Sequence, residues 1–208
     1  LVTLKRAGVA NVVIAAMVDR CTGASKSQGA VNEASDPTVK RSPGLYIDLG
    51  TDTAHKLVKI RPTNASGGTV TGNGSLLFPF RVKLAIPRAS AQSVSTSSSP
   101  KFFFYFETDD AKVGEFGTSA TAAAQSPTEF SLIRFKEKNS QREILIRKQT
   151  MFVGSIGIDP KETIQFSVEE IGDGAFKVSS NSPLLSGEYG FLLRAGSESY
   201  RIYDFHIP

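Results

Sequence analysis

Few side chains in this 208-residue sequence could cleave a bond or hold a metal. Its two histidines, His55 and His206, are far apart and each stands alone in a strand-like segment. No H-x-H or H-x-x-x-H spacing brings two imidazoles onto one ion, so both read as surface or packed residues. Glu107, Asp109 and Asp110 form the densest acidic cluster. It follows a strand end but lacks the regular Asp/Asn/Gly loop of a calcium site, and a solvated turn is expected. Cys21, the one cysteine, cannot make an internal disulfide or a zinc site by itself and reads as a free thiol beside a linker. A serine hydrolase needs a nucleophile, a base and an orienting acid; no G-x-S-x-G occurs. Carboxylate pairs can be drawn in any β sandwich and select nothing. The segment 67–74, GGTVTGNG, has no P-loop lysine and no helix after it, and reads as a flexible loop or hairpin tip. The expectation is a protein with no catalytic, cofactor or metal residues.

The composition is that of an ordinary folded chain, 40% apolar and 21% charged. The net charge of +4 is spread along it. The closest approach to a basic stripe is Arg134, Lys136, Lys138, Arg142, Arg147 and Lys148, diluted by Glu137 and Glu143. Alternating charge on adjacent strands is expected to be a solvated face, and no nucleic-acid partner is read from it. No apolar stretch is long enough to span a bilayer. The sequence opens on Leu1, which reads as a processed protein or an excised piece.

Hydrophobic spacing divides the chain into three parts. In residues 1–20 apolar residues recur at helical spacing, with Gly8 where a helix would end. This predicts a short helical hairpin, about 1–7 and 11–20, whose face of Leu4, Val13, Ile14 and Met17 must dock on something. Residues 21–43 are rich in Ser, Gly, Ala and Pro and read as a linker. From 44 to 208, short β-like runs alternate with turn chemistry. They predict a mainly β domain, an antiparallel sandwich or barrel of about ten strands. Hairpins are expected at 45–60, across 138–140 between 130–136 and 143–148, across Gly172-Asp173-Gly174, and across 195–197. The run 76–86 is interrupted at Pro79, which suggests an edge or bulge, and 101–107 is too aromatic to be anything but buried. Two low-complexity loops, 89–100 and 117–127, bracket that strand as mobile filler or as a contact surface. Asn64-Ala65-Ser66 and Asn73-Gly74-Ser75 fit the N-x-[ST] triplet. Without tryptophan, glycan binding would fall to Tyr46, Tyr189, Tyr200 and Tyr203.

Several segments resemble a group of secreted bacterial proteins. Residues 4–17, LKRAGVANVVIAAM, resemble that group's "LxKAGVSDxVIxAM" helical hairpin. The stretches 43–47 and 56–63 resemble its "PGIYY" and "KLVxLxPT" strands. Residues 100–106, 126–143, 185–191 and 202–207 follow "PxFYFYF", "SPNEFxLVRLxxKxxxRE", "LxPGEYAF" and "VYDFGI" in order. Asn11, Ser186 and His206 depart from it, standing where the pattern has Asp, Pro and Gly. The resemblance implies an exported or envelope-associated protein and supplies no activity. The function expected from the sequence is a non-enzymatic structural or protein-interaction module, self-assembling or binding a protein partner through its first residues. The alternative is a β domain that binds a glycan or another envelope polymer.

Overall fold

The computed structural model describes residues 36–51, 53–66, 68–72, 80–108, 114–117, 123–138, 140–149, 154–156, 158, 160–196 and 199–208. The expected helical hairpin with Leu4, Val13, Ile14 and Met17 lies outside them, as do Cys21, Pro79, Asp109 and Asp110. The chain divides between Glu33 and Ala34, and every described strand belongs to the second unit. Among the described residues there is no α-helix; sixteen strands and two 3-10 turns make up the regular structure. The mainly β, sandwich-like expectation therefore holds, with more and shorter strands than expected.

The strands form three sheets. The first has the order β13-β14-β7-β1-β2: Phe166–Gly172, Ala175–Ser180, Lys101–Tyr105, Gly44–Asp48 and Leu57–Ile60. β7 takes the middle because its aromatic side chains are apolar toward both faces. Phe102 and Phe104 enter the main core, while Phe103 and Tyr105 cluster with Tyr46 on the other side. The residues before β1 reach that outer cluster, since the Tyr105 and Tyr46 hydroxyls donate to the carbonyls of Pro37 and Ser42. The second sheet has the order β12-β8-β15-β16-β3: Thr163–Ile164, Ser131–Arg134, Gly187–Arg194, Ser199–Ile207 and Thr63–Ser66. Short β6, Ser93–Val94, joins β16 in parallel; the other pairings are antiparallel. The third sheet is β11-β10-β5-β4: Gly154–Ile156, Gln141–Gln149, Phe80–Pro87 and Thr69–Thr71, with β9, Lys136–Lys138, also on β10.

The second sheet is the middle layer. Alternate residues of β15 and β16 serve opposite cores, as the period-two geometry of a strand requires. Phe191, Tyr203 and Phe205 pack with Leu45, Ile47, Phe102 and Phe104 of the first sheet. Leu192 and Ile202 pack with Leu84, Ile86 and Ile144 of the third. Seven of the eight residues of β15 are buried, the pattern of a strand covered on both faces.

Three of the expected hairpins form: β1 with β2, β13 with β14, and β15 with β16. The fourth is corrected. β8 does not pair with β10 but with β15, and the hairpin is β9 with β10. Phe135 is where the chain changes layers: its N–H still donates to Glu188 O at 2.8 Å in the middle sheet, while its ring joins the core beneath the third. The loop 89–100 is not featureless filler, since it supplies β6, and its Ser95 N–H donates to His206 O at 2.9 Å.

Candidate functional site

The most polar buried place among the described residues is built around Arg142. Arg142 was expected on a solvated basic face, yet it is only 1% exposed. On β10, Ile144 packs between the layers, and Arg142, two residues before it, points the same way. Its Nη1 donates to Glu188 Oε2 at 3.2 Å and to Asp204 Oδ2 at 2.7 Å. Nε donates to Arg88 O at 3.2 Å, and the guanidinium lies 5.8 Å from the centre of the Phe135 ring. Phe135 has room there because position 190 is glycine; a Cβ on Gly190 would stand 3.0 Å from Phe135 Cε2 and 3.2 Å from Tyr203 O.

Glu188 is tied down further. Its Oε2 also accepts from Ala91 N–H at 2.8 Å, so the loop after β5 is anchored to the middle sheet. His206 sits opposite Glu188 in the β15–β16 register, its Nδ1 2.8 Å from Oε1 but off the direction a hydrogen bond needs. His206 is therefore not the isolated histidine expected from the sequence. No hydroxyl or thiol is hydrogen-bonded to its ring among the described residues, so no nucleophile and base are assembled. Nor do three His, Cys, Asp or Glu side chains converge on a metal-binding point among them.

Arg142 and Asp204 also line a cavity of about 550 Å³. One wall is the edge strand β2 and the Arg61-Pro62 corner after it; the other is the segment from Pro87 to Val94. Leu49 and Val94, 39% and 44% exposed, contribute apolar surface, and the exposed Arg61 and Arg88 contribute positive charge. Arg88 has a φ of 77°, a left-handed conformation rare outside glycine, and this backbone places its carbonyl on Arg142 Nε. Strained residues of this kind cluster at ligand-binding places, and the strain is of order 1–3 kcal/mol.

Among the described residues no strand pairs with the outer side of β2. Leu49 N–H donates to Lys56 O at 2.9 Å, which makes these two a hydrogen-bonded pair. In an antiparallel ladder such pairs alternate, so Val58 and Ile60 bond to β1 while Leu57 and Lys59 turn their N–H and C=O groups outward. Among the described residues nothing pairs with these groups, and Lys59 brings its own to the wall of the cavity. Such a row accepts an extended segment.

The hairpin that carries β2 is locked by Asp48. Its Oδ1 accepts from the N–H groups of Gly50 and Lys56, both at 2.9 Å, and its Oδ2 lies 2.6 Å from His55 Nδ1. Burial alone would raise the Asp48 carboxyl, but the hydrogen bonds from His55, Lys56 and Gly50 hold it below the usual value. A carboxyl that is lower in the folded state stabilises at pH values above its unfolded pKa and loses that contribution as the pH falls. Asp48→Asn is expected to lower the unfolding free energy by about 1–2 kcal/mol at pH 7 and by much less at pH 3. Denaturant titrations at the two pH values measure this; an equal deficit at both would show that the charge of Asp48 contributes nothing.

Spacing in the sequence did not single out this cavity. Tyr46, Tyr189 and Tyr203, expected as glycan contacts, are buried, at 8%, 2% and 0% exposure. Burial pushes the phenols of Tyr189 and Tyr203 up. Of the tyrosines expected as glycan contacts, only Tyr200 is partly exposed. Among the described residues no helix is long and apolar enough to cross a membrane. Comparison with family models, with curated proteins and with solved structures finds no match for this chain.

Proposed function

We propose that this chain is a non-enzymatic protein-interaction module of the bacterial envelope or exterior, which binds an extended segment by strand addition along β2. The observation that carries the reading is the backbone edge of Leu57 and Lys59, unpaired among the described residues and set beside a cavity with apolar and cationic walls. Main-chain hydrogen bonds would supply the attraction, Leu49 and Val94 would receive apolar side chains, and Arg61 and Arg88 would select acidic ones. The bacterial and exported setting rests on the resemblance of the strand motifs. A glycan-binding role has less support, because three of its four candidate tyrosine faces are covered.

A proline at position 59 tests the reading. Lys59→Pro removes one outward N–H without touching the ladder to β1, and an edge strand tolerates it. Lys59→Ala is the control: it also loses the pairing of Lys59 with Glu115 but keeps the N–H. A synthetic peptide of alternating valine and glutamate, followed by fluorescence anisotropy, is expected to bind the wild-type chain saturably. Lys59→Pro should weaken it about tenfold, about the value of one lost hydrogen bond, and Lys59→Ala much less. No saturable binding to the wild type, or equal loss in both variants, sinks the reading.

A further inference from the structure

We infer that the segment received along β2 is β13 of a second copy of this chain, so that the first sheet continues from molecule to molecule. The inference rests on the proposed strand addition and names its partner. β13 is the other edge of the same sheet. Asn181 N–H donates to Gln165 O at 3.0 Å, so Ser167 and Glu169 bond to β14 by the same alternation. Phe166, Val168 and Glu170 then turn their N–H and C=O groups outward, unpaired among the described residues, at the two-residue repeat presented by Leu57 and Lys59.

Charge and polarity match across the two edges. The β2 side carries Lys56, Arg61 and Arg88, all exposed and without a side-chain hydrogen bond or ion pair among the described residues. The β13 side carries Glu170 and Asp173, exposed and equally unpaired, while Glu169 is already bound to Lys177 at 2.7 Å. Toward the main core, Val58 and Ile60 on one edge and Phe166 and Val168 on the other present apolar side chains, so the joined sheet keeps one greasy face. Pairing β2 with β2 would set cations against cations, and β13 with β13 acids against acids. Only the unlike pairing is attractive.

The topology determines what such pairing builds. Five antiparallel strands put β13 and β2 in the same direction, so a second copy in the same orientation meets the first edge to edge. A contact between two different surfaces does not close on itself and generates an open chain of subunits.

Sedimentation velocity of the full chain tests this with two charge-reversed variants, Lys56→Glu/Arg61→Glu on β2 and Glu170→Lys/Asp173→Lys on β13. The wild-type sedimentation coefficient is expected to rise with concentration, less so at high salt. Each variant alone is expected to stay monomeric while keeping the wild-type unfolding midpoint. Mixed in equal amounts, they should regain the concentration-dependent rise, because every junction between the two variants, at the native pair of edges and at the reversed pair alike, sets opposite charges together. Combining all four substitutions in one chain should restore the concentration dependence. A wild-type chain that stays monomeric at every concentration, or a mixture of variants that never dimerises, overturns the inference. If the wild type is monomeric yet binds the valine–glutamate peptide in a Lys59→Pro-sensitive way, strand addition at β2 stands and only the identity of the partner fails.

Discussion

Arg142→Met is expected to lower the unfolding free energy by about 3–5 kcal/mol, the usual consequence of removing one side of a buried ion pair. The side chains of Arg142, Glu188 and Asp204 are 2%, 1% and 12% exposed. Without the guanidinium, the two carboxylates lose their shared cation, and Glu188 Oε2 keeps only the Ala91 N–H. Arg88 O and Pro87 O also lose a donor, which loosens the loop that walls the cavity. Methionine fills most of the vacated volume and keeps contact with Phe135, so the deficit reports charge rather than a void. The companion variant Arg142→Met/Glu188→Gln/Asp204→Asn removes the charges together and is expected to recover most of the loss, since replacing a whole buried network by neutral groups is far milder than halving it. Denaturant unfolding followed by tyrosine fluorescence measures both. A deficit below about 1 kcal/mol for the single variant would put the network on a level with a surface ion pair and contradict the geometry.

Phe104→Ala is expected to be about as damaging, at about 3–5 kcal/mol, for a different reason. Phe104 is fully buried at the junction of the first and middle sheets. Its ring centre lies 5.1 Å from that of Phe130 and 5.2 Å from that of Phe191, both edge to face. Phe106 and Phe116 complete the cluster at 6.1 and 6.0 Å. Truncation leaves a void that four rigid rings cannot collapse into. Val94→Ser, by contrast, removes an exposed apolar side chain at the cavity mouth and should leave the unfolding midpoint nearly unchanged. If the two substitutions have similar effects on that midpoint, the layer assignment of Phe104 is wrong.

Much of this architecture could be read from residue order. The aromatic run around Phe102 to Phe106 had to be a strand covered on both sides, and it lies in the middle of its sheet. Turn residues placed three hairpins, because Gly-Asp-Gly and its like act over a few positions. Gly174 illustrates the point: its φ of 65° needs glycine, and a Cβ there would meet Thr108 Cγ2 at 2.9 Å. The division into three layers was not legible. Whether a strand pairs with its neighbour or crosses to another sheet depends on a single residue such as Phe135, and hydrophobic alternation is blind to that choice.

The polar cluster was hidden for a related reason. Arg142, Glu188 and Asp204 come from three distant segments, the "RE", "GEY" and "YDF" stretches of the quoted motifs, and only pairing across layers joins them. One signal was available. Glu188 is the one charge among the first seven residues of β15, all of them buried, and a charge so placed calls for a buried counter-charge. Arg142, two positions along β10 from core Ile144, was the cation that answered it.

The way the strands are threaded has a kinetic consequence. β16 finds partners at β3 and β6, separated from it by most of the described chain, and the middle layer cannot close until these distant segments meet. Collapse of such a chain is governed by long-loop closure and belongs among the slow folders, on timescales of milliseconds to seconds. During that delay the run Phe102-Phe103-Phe104-Tyr105-Phe106 has no cover. The same residues that weld the finished molecule are then its stickiest stretch, so refolding is a race between intramolecular docking and aggregation that only dilution favours.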